Sequence, residues 1–283
     1  MINKITIKNG VRIVDNNYVI KDKSGDIFKT YNYLLSRSFN YFPEIIKEDD
    51  KKIYYQYIED INEPREQKII DLITLLSLLH SKTTFYKEID LDYYKYIYES
   101  IMKQADDVYN YYNNLMDNIE SSVYMSPSNY LISRNISAIY SSLVYTKENI
   151  KKWYEKIEDK RKVRLVTIHN NLSLEHYLKQ DKPYLISWEK ATVDMPIYDL
   201  ISLYKHHYLD FEFDEILRLY LTKYPLKSEE ILLFLSIIAI PDKIKKANSE
   251  YKTVLNVRRI IDYIYKTKIL LKEYSIKQET NKS

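Results

Sequence analysis

Two apolar runs in the second half of the chain each end abruptly in polar residues. Residues 165–168 are followed by His169 and two asparagines, and residues 184–186 are followed by Ser187. Short apolar runs bounded by polar residues are typical of buried strands, and polar side chains that follow such strands often carry function. The sequence therefore predicts two strands that deliver imidazole, amide and hydroxyl groups into one cleft.

The residues around these two runs follow a recognisable order. The chain reads His-Asn-Asn-Leu-Ser-Leu-Glu-His from His169, Ile-Ser-Trp-Glu from Ile186, and Pro-Ile-Tyr-Asp-Leu from Pro196. This resembles the aminoglycoside phosphotransferase and choline kinase group of the protein-kinase-like superfamily, whose pattern is His-Gly-Asp-(Leu)-His-x-x-Asn, then Ile-Asp-(Trp/Phe)-Glu, then Pro-x-x-Asp-Leu. The positions that match the frame of that pattern are His169, Leu172, Trp188, Glu189, Pro196, Asp199 and Leu200.

The reactive positions of the pattern do not match. The resemblance implies a loop Asp that accepts the proton of the attacking hydroxyl, and a loop Asn and a later Asp that hold magnesium against the phosphates. Those three positions are Asn171, His176 and Ser187 in this chain. An amide cannot take up a proton at neutral pH, and a neutral hydroxyl is a poor ligand for a hard cation. We therefore assign no catalytic residue and expect no magnesium site of the family's kind.

The nucleotide side of the pattern is also incomplete. The family's third strand carries a Lys that pairs the nucleotide phosphates and is held by a Glu on the next helix. Lys21 is the candidate for this role, although a Lys at the end of a strand is also a common solvated edge charge. Residues 22–43 contain no Glu, and the two glycines of the chain, Gly10 and Gly25, are too few for a loop of phosphate-binding amides. Any binding of ATP is therefore expected to be weak.

Composition excludes several classes of protein. The 283 residues are enough for a sizeable core, and the absence of cysteine excludes disulfides and thiolate metal sites. The 43 basic and 40 acidic residues give a net charge of +3, too small to indicate a nucleic-acid partner. The first residues lack the apolar core of a signal peptide, and no apolar run is long enough to span a membrane. We expect a soluble, cytoplasmic protein with no membrane or nucleic-acid partner.

The predicted elements give the fold class. Weak alternation over residues 3–21, with turn signals at Asn9-Gly10 and Asn16-Asn17, predicts a small antiparallel sheet. A helix over about 26–38 and strands at 45–46 and 53–58 follow, and residues 59–64 are the expected hinge. Helical spacing then predicts helices over about 65–80, 91–121, 129–144, 147–157, 196–205, 214–222, 228–238 and 241–275.

These elements, with the resemblance, predict a two-lobed α+β fold of the protein-kinase-like kind. A small antiparallel N-terminal lobe is expected over residues 1–60, a large helical C-terminal lobe over 61–276, and a disordered tail over 277–283. In this arrangement Asp199, at the start of a helix, is expected to brace the candidate loop.

Other features of the helical part have ordinary explanations. His80 is interpreted as a packing residue near a helix end, and His206-His207 as adjacent residues that point to different sides rather than a metal site. Most tyrosines of the 91–121 helix are interpreted as packing, with a stacking platform as the alternative. The basic face of the last helix is interpreted as solvated, with an anionic partner as the alternative.

The loss of the reactive positions indicates a pseudokinase, a non-catalytic binding or scaffolding protein. Leu79-His80-Ser-Lys-Thr83 resembles the Leu-His-x-x-Thr of spore-coat kinase-like proteins (the CotS group), which implies a spore-coat association and an unidentified protein partner. Whether the protein also binds a small molecule is not decided by the sequence.

Two alternatives remain at this point. In the first, the chain is a rewired ATP-dependent small-molecule phosphotransferase whose displaced metal site is built from Glu175, His176 and Glu189. In the second, it is a structural protein whose cleft is filled by Tyr177 and Trp188.

Overall fold

The computed structural model describes residues 5–8, 11–14, 17–23 and 26–280 of the chain. The predicted turn at Asn9-Gly10, the first residue of the Asn16-Asn17 turn, Gly25, and residues 281–283 of the predicted tail lie outside the described residues. The chain divides into two compact units. The first unit comprises Met1–Phe85, Arg164–Ser202 and Ile216–Pro225, and the second comprises Tyr86–Val163, Leu203–Glu215 and Leu226–Ser283. The predicted lobe boundary after residue 60 stays a prediction.

The first unit contains the antiparallel sheet that the N-terminal sequence predicts. Its strands are β1 (Ile5–Lys8), β2 (Val11–Val14), β3 (Tyr18–Asp22), β4 (Ile45–Glu48) and β5 (Lys52–Gln56). Their order is β1-β2-β3-β5-β4, and every neighbouring pair is antiparallel. The register places Lys21 of β3 opposite Ile53 of β5. The pairing of β3 with β5 therefore fixes the position of Lys21 along the sheet.

The two strands predicted before the candidate site are present. They are β7 (Lys162–Ile168) and β9 (Pro183–Leu185). Each has an antiparallel partner that the sequence did not predict: β10 (Thr192–Asp194) pairs with β7, and β8 (Tyr177–Lys179) pairs with β9. The partners are three residues long, too short to show a periodic pattern. A further short strand, β6 (Phe85–Glu88), gives the sheet order β10-β7-β6.

Helices make up most of the rest of the described chain. Capping residues mark several starts: the Asp26 side chain accepts from the backbone N–H of Lys29, and the Ser126 side chain accepts from that of Asn129. The helices are α1 (Ile27–Ser36), α2 (Arg65–Thr83), α3 (Asp92–Glu120), α4 (Pro127–Ile157), α5 (Ile197–His207), α6 (Phe213–Lys223), α7 (Ser228–Ile238) and α8 (Glu250–Thr280).

Helix α4 corrects one expectation, because the two helices predicted over 129–144 and 147–157 are a single helix. Thr146, at the predicted break, is fully buried, and its hydroxyl bonds to the carbonyl oxygens of Ser142 and Ser236. Leu143 and Ile150 are buried on either side of it. Packing within the second unit therefore keeps the helix continuous through a β-branched residue of low helix propensity.

Helix α8 corrects another expectation, because it begins at Glu250 rather than near residue 241. The carbonyl oxygens of Asp242 and Ile244 accept hydrogen bonds from the hydroxyls of Tyr112 and Tyr111 on α3. These side chains hold residues 241–248 in an irregular path that the periodicity of the sequence could not predict.

The core of the first unit is built around α2 and the strands of the site. Leu72, Ile73, Leu76 and Leu79 of α2 are fully buried, as is Val166 of β7. Burying one such side chain contributes about 1.5–3 kcal/mol. The core thus anchors the two strands that end in the candidate site.

In the part of the chain that the structure describes, no helix is both long and apolar enough to cross a membrane. The small antiparallel sheet and the many helices confirm the predicted α+β class.

Candidate functional site

Lys21 makes a bidentate contact with the segment that follows β9. Its ammonium nitrogen lies 2.7 Å from Glu189 Oε1 and 2.9 Å from Ser187 Oγ. The Lys21 and Glu189 side chains are only 20% and 24% exposed. The sequence offered no acidic partner for Lys21 on α1, and the structure supplies one from Glu189 instead. A charge-assisted contact at this distance fixes both side chains more firmly than a fully exposed pair would.

Ser187 occupies an unusual backbone conformation. Its φ of 67° and ψ of 54° lie in the left-handed region, which costs most residues other than glycine some energy. Asn170, after β7, also has a positive φ, 55°. Each site strand is therefore followed, two residues later, by a residue with positive φ. Asparagine adopts this conformation readily, whereas it is strained at Ser187, and strained positions are frequent in binding and catalytic sites.

Asp199 holds the loop that follows β7. Its two carboxylate oxygens accept the backbone N–H groups of His169 and Asn170, each at 2.8 Å. Asp199 is fully buried near the start of α5. The loop that carries Asn171 is therefore fixed at its first two residues by one carboxylate.

Two further buried side chains, His80 and Tyr220, support Asp199. His80 Nε2 lies 3.2 Å from Asp199 Oδ2, and because that oxygen is an acceptor, Nε2 carries the proton. The hydroxyl of Tyr220 then donates to His80 Nδ1 at 2.6 Å. His80 is thus a packing residue with a defined task, since it positions Asp199. The Leu-His dipeptide pointed to His80, whereas no sequence signal pointed to Tyr220.

His169 joins the ends of the two site strands. Its Nε2 donates to the carbonyl oxygen of Ile186 at 2.8 Å, and its ring lies edge-on to Trp188 at 4.8 Å between centroids. Burial of the imidazole holds the pKa of His169 below its usual value, so the ring is neutral. Within the described residues its Nδ1 has no hydrogen-bond partner. His169 therefore acts as a structural link rather than a proton carrier.

Asn171 and His176 are also brought together. His176 Nδ1 donates to the backbone carbonyl of Asn171 at 2.6 Å. Burial, with the nearby Lys21 charge, lowers the pKa of His176, and only the hydrogen bond to Asn171 and two carboxylates oppose this. The neutral ring presents an Nε2 lone pair where the family's pattern has an amide oxygen, and a nitrogen ligand suits magnesium poorly.

A cavity of about 850 Å³ lies beside these residues within the first unit. Sites for small molecules typically have volumes of about 300–1,000 Å³. Trp188 lines the cavity without filling it, and Tyr177 is buried elsewhere. This argues against the interpretation in which these two side chains plug the cleft. The cavity is lined mainly by Ile13, Val19, Lys21, Tyr31, Pro43, residues 55–60, Lys68, Glu175, His176, Leu178 and residues 186–189.

Magnesium does not fit the groups at the family's three reactive positions. Asn171 offers an amide, His176 an imidazole, and the Ser187 hydroxyl already accepts from the Lys21 ammonium. A hard cation prefers several anionic oxygens. The Lys21 ammonium, 2.9 Å from Ser187 Oγ, also repels a metal ion at this position. Among the described residues, no cluster of three or more His, Cys, Asp or Glu side chains is arranged to hold a metal.

Comparisons with known proteins give the fold. Neither a protein-family model nor a curated protein matches the sequence significantly. An aminoglycoside phosphotransferase from Alicyclobacillus acidocaldarius is similar in structure, with a TM-score of 0.73, 9% identity, and coverage of 99% of this chain and 93% of that one. The AMP-bound spectinomycin phosphotransferase has a TM-score of 0.58, 15% identity and coverage of 93% and 92%.

A glucosamine kinase in complex with glucosamine, ADP and inorganic phosphate is also similar, with a TM-score of 0.53 and 10% identity, covering 99% of this chain and 81% of that one. At these identities the likenesses show the fold alone. The chain has the protein-kinase-like α+β fold that these phosphotransferases share.

Proposed function

We propose that this chain is a pseudokinase, a non-catalytic binding protein with the fold of the aminoglycoside phosphotransferases. The observation that carries the proposal is the contact of the Lys21 ammonium with Ser187 and Glu189. Ser187 stands where the resemblance requires a carboxylate that binds magnesium, and its hydroxyl accepts from the Lys21 ammonium instead. With an amide at Asn171, the loop also lacks a group that could accept the proton of an attacking hydroxyl.

The charges around the cavity support this proposal. Lys21 is paired with Glu189, and Lys68 is paired with Asp60 at 2.9 Å. Two further carboxylates, Glu59 and Glu175, line the cavity and make no ion pair within the described residues. The cavity therefore carries an excess of negative charge, which repels a triphosphate.

The apolar walls of the cavity indicate what it can accept. Ile13, Val19, Leu178 and Ile186 provide aliphatic surface, and Tyr31 adds an aromatic ring. These surfaces bury the carbon skeleton of an organic ligand, while the excess carboxylates favour a neutral or cationic one. A small organic molecule without phosphate groups is the ligand that this cavity suits best.

The proposal is tested by measuring ATP turnover with the wild-type protein and a panel of aminoglycosides, choline and amino sugars as acceptors. We expect turnover equal to that of a reaction without protein. Turnover above that background, abolished in a Glu189→Ala variant, would overturn the proposal.

That outcome would select the second candidate function, a rewired small-molecule phosphotransferase. The observation that favours it is that Glu175, His176 and Glu189 all line the same cavity. Against it stands the Glu189 carboxylate, whose Oε1 is engaged by Lys21. The sugar and aminoglycoside kinases with this fold make acceptors of those classes the first ones to assay.

A protein partner and a spore-coat association belong to the same proposal. Their support is the Leu79-His80-Ser-Lys-Thr83 stretch, whose Leu79, His80 and Thr83 are fully buried. Thr83 Oγ1 accepts from the backbone N–H of Thr167 on β7 at 3.1 Å, so the stretch stabilises the fold. Association with a coat is tested by locating the tagged protein in sporulating cells, where an even cytoplasmic distribution at all stages would contradict it.

A further inference from the structure

A second cavity, of about 880 Å³, lies within the second unit. It is bounded by α3, the C-terminal end of α5, the irregular segment 241–249 and α8. We call it the basic cavity, because Lys205, Lys243, Lys245 and Arg259 line it. Its volume suits a small organic molecule.

The cations of the basic cavity are not neutralised by neighbouring carboxylates. Within the described residues, none of these four side chains makes an ion pair. Of the three acidic residues in the lining, Asp210 is paired with His207 at 2.7 Å. Four cations without an ion pair therefore outnumber the two remaining carboxylates of the lining, those of Asp107 and Asp242, although the Lys243 ammonium also lies 5.7 Å from the centroid of the Tyr111 ring. An open concave surface with such an excess attracts anions.

The backbone of segment 241–249 adds donors to these cations. The carbonyl oxygens of Asp242 and Ile244 are taken by Tyr112 and Tyr111 at 2.7 and 2.5 Å, and that of Lys245 by Asn256 at 2.8 Å. By contrast, the backbone N–H groups of residues 242–246 have no hydrogen-bond partner among the described residues.

The orientation of these amides follows from peptide geometry. All peptide bonds in the described chain are trans, so the N–H of each residue points opposite to the carbonyl of the residue before it. The N–H groups of Lys243 and Lys245 therefore point away from α3, because the preceding carbonyls point toward its tyrosines. Both N–H groups are therefore available to an acceptor on that side of the segment.

We propose that the basic cavity binds a phosphorylated small molecule. Phosphate presents several oxygens to the cations that line the cavity, and the planar guanidinium of Arg259 matches phosphate geometry in a bidentate contact. Ile260, Leu209 and Tyr263 supply the apolar surface for the organic part of the ligand. This function is independent of the proposed pseudokinase role, because it uses only residues of the second unit.

The test is a calorimetric titration of the full chain with inorganic pyrophosphate and with fructose 1,6-bisphosphate as probes. We expect saturable binding with a dissociation constant below about 1 mM at low salt, weakening as salt is raised. The double variant Arg259→Gln/Lys243→Gln is expected to weaken binding of both probes by about tenfold or more.

A matched control uses two cations of α8 that do not line the cavity. Lys252→Gln/Arg258→Gln removes the same charge from exposed positions and is expected to leave affinity within about twofold of the wild type. Equal weakening in both double variants, or no saturable binding by the wild type, would overturn the proposal. Backbone amide resonances of Lys243 and Lys245 should shift on titration, and shifts confined to Val19 and Ile186 would place the phosphate elsewhere and overturn it too.

Discussion

Asp199 and His80 face each other in the buried interior of the first unit, with Oδ2 and Nε2 3.2 Å apart. Neither side chain is exposed to solvent. The same carboxylate accepts the backbone N–H groups of His169 and Asn170. One residue on α5 therefore fixes both the end of α2 and the beginning of the loop that carries the candidate site.

Replacing Asp199 by alanine is expected to destabilise the fold. The change leaves the backbone N–H of His169 and the His80 N–H without an acceptor in a buried site, and it also removes the acceptor of the Asn170 N–H. A buried donor left unsatisfied costs about 1–3 kcal/mol, so the free energy of unfolding should fall by at least that amount. Chemical denaturation of the purified variant measures the change.

The control for this prediction is Asn171→Ala, one residue beyond the braced pair. Among the described residues, Asn171 forms hydrogen bonds through its backbone carbonyl and not through its side chain, and alanine keeps that carbonyl. We expect a change within about 0.5 kcal/mol. An Asp199→Ala protein as stable as Asn171→Ala would contradict the bracing role.

The neutral buried imidazole of His169 predicts a loss of stability in acid. Burial lowers the pKa of His169 in the folded protein, so below about pH 6.5 the unfolded chain binds more protons than the folded one. The stabilising contribution is therefore present above that pH and is lost as the pH falls toward the lowered pKa. His169→Gln should be less stable at pH 7 but should show a shallower decline of the unfolding free energy on acidification.

The matched control for the pH profile is His206→Gln, since His206 is exposed at the end of α5. Its profile should run parallel to that of the wild type. Unfolding free energies measured by denaturant titration at several pH values between 5 and 7 give the comparison. A His169→Gln profile parallel to the wild type would show that His169 does not carry the effect.

Nucleotide binding is expected to be weak and nearly independent of magnesium. The Ser187 hydroxyl and the Glu189 carboxylate are engaged by Lys21. The same cavity is lined by Glu59 and Glu175, which make no ion pair in the part of the chain that the structure describes. Calorimetry with ATP, with and without magnesium, measures this. A gain of tenfold or more on adding magnesium, roughly 1.4 kcal/mol, would contradict the proposed loss of the metal site.

Adenosine provides the control for that titration, because it lacks the phosphates that the cavity disfavours. It should bind at least as tightly as ATP. ATP binding much more tightly than adenosine would show that the cavity or its surroundings accept phosphate after all.

Much of the fold could be predicted from the sequence, because long elements carry periodic patterns. Helix α3 and strand β7 lie close to their predicted positions, since runs of apolar residues at regular spacing mark a buried face. The pattern failed where side chains from distant segments decide the backbone path. The start of α8 depends on Tyr111 and Tyr112, about 130 residues earlier in the chain.

The candidate site likewise combines features that the sequence predicts with features that depend on distant segments. The order of residues along the chain identified both the positions that match the motif, such as His169, and those that depart from it, such as Ser187. The partner of Lys21 could not, because Glu189 lies 168 residues away and the sequence gives no sign of which acidic residue approaches a given lysine. The buried link from Tyr220 through His80 to Asp199 likewise depends on three segments meeting in space.

Restoring the two lost carboxylates is the sharpest test of how far the site has departed from a kinase. The double variant Asn171→Asp/Ser187→Asp places a carboxylate at the base position and another at the metal position of the family's pattern. We expect ATP turnover to stay at the level of a reaction without protein. The Asp at position 187 would begin beside the Lys21 ammonium, which already holds Glu189, so it would form an ion pair instead of binding magnesium.

His176 reinforces that expectation. The loop metal position would still hold the His176 imidazole, whose Nδ1 is bound to the carbonyl of Asn171, and the excess of negative charge around the cavity would increase by two. Both changes oppose the entry of a magnesium nucleotide. The melting temperature of the double variant shows whether it remains folded, and the single variants show whether either carboxylate alone has an effect. Robust turnover by a folded double variant would mean that the loss of catalysis rests on these two residues alone, and that Lys21 can exchange Glu189 for a phosphate.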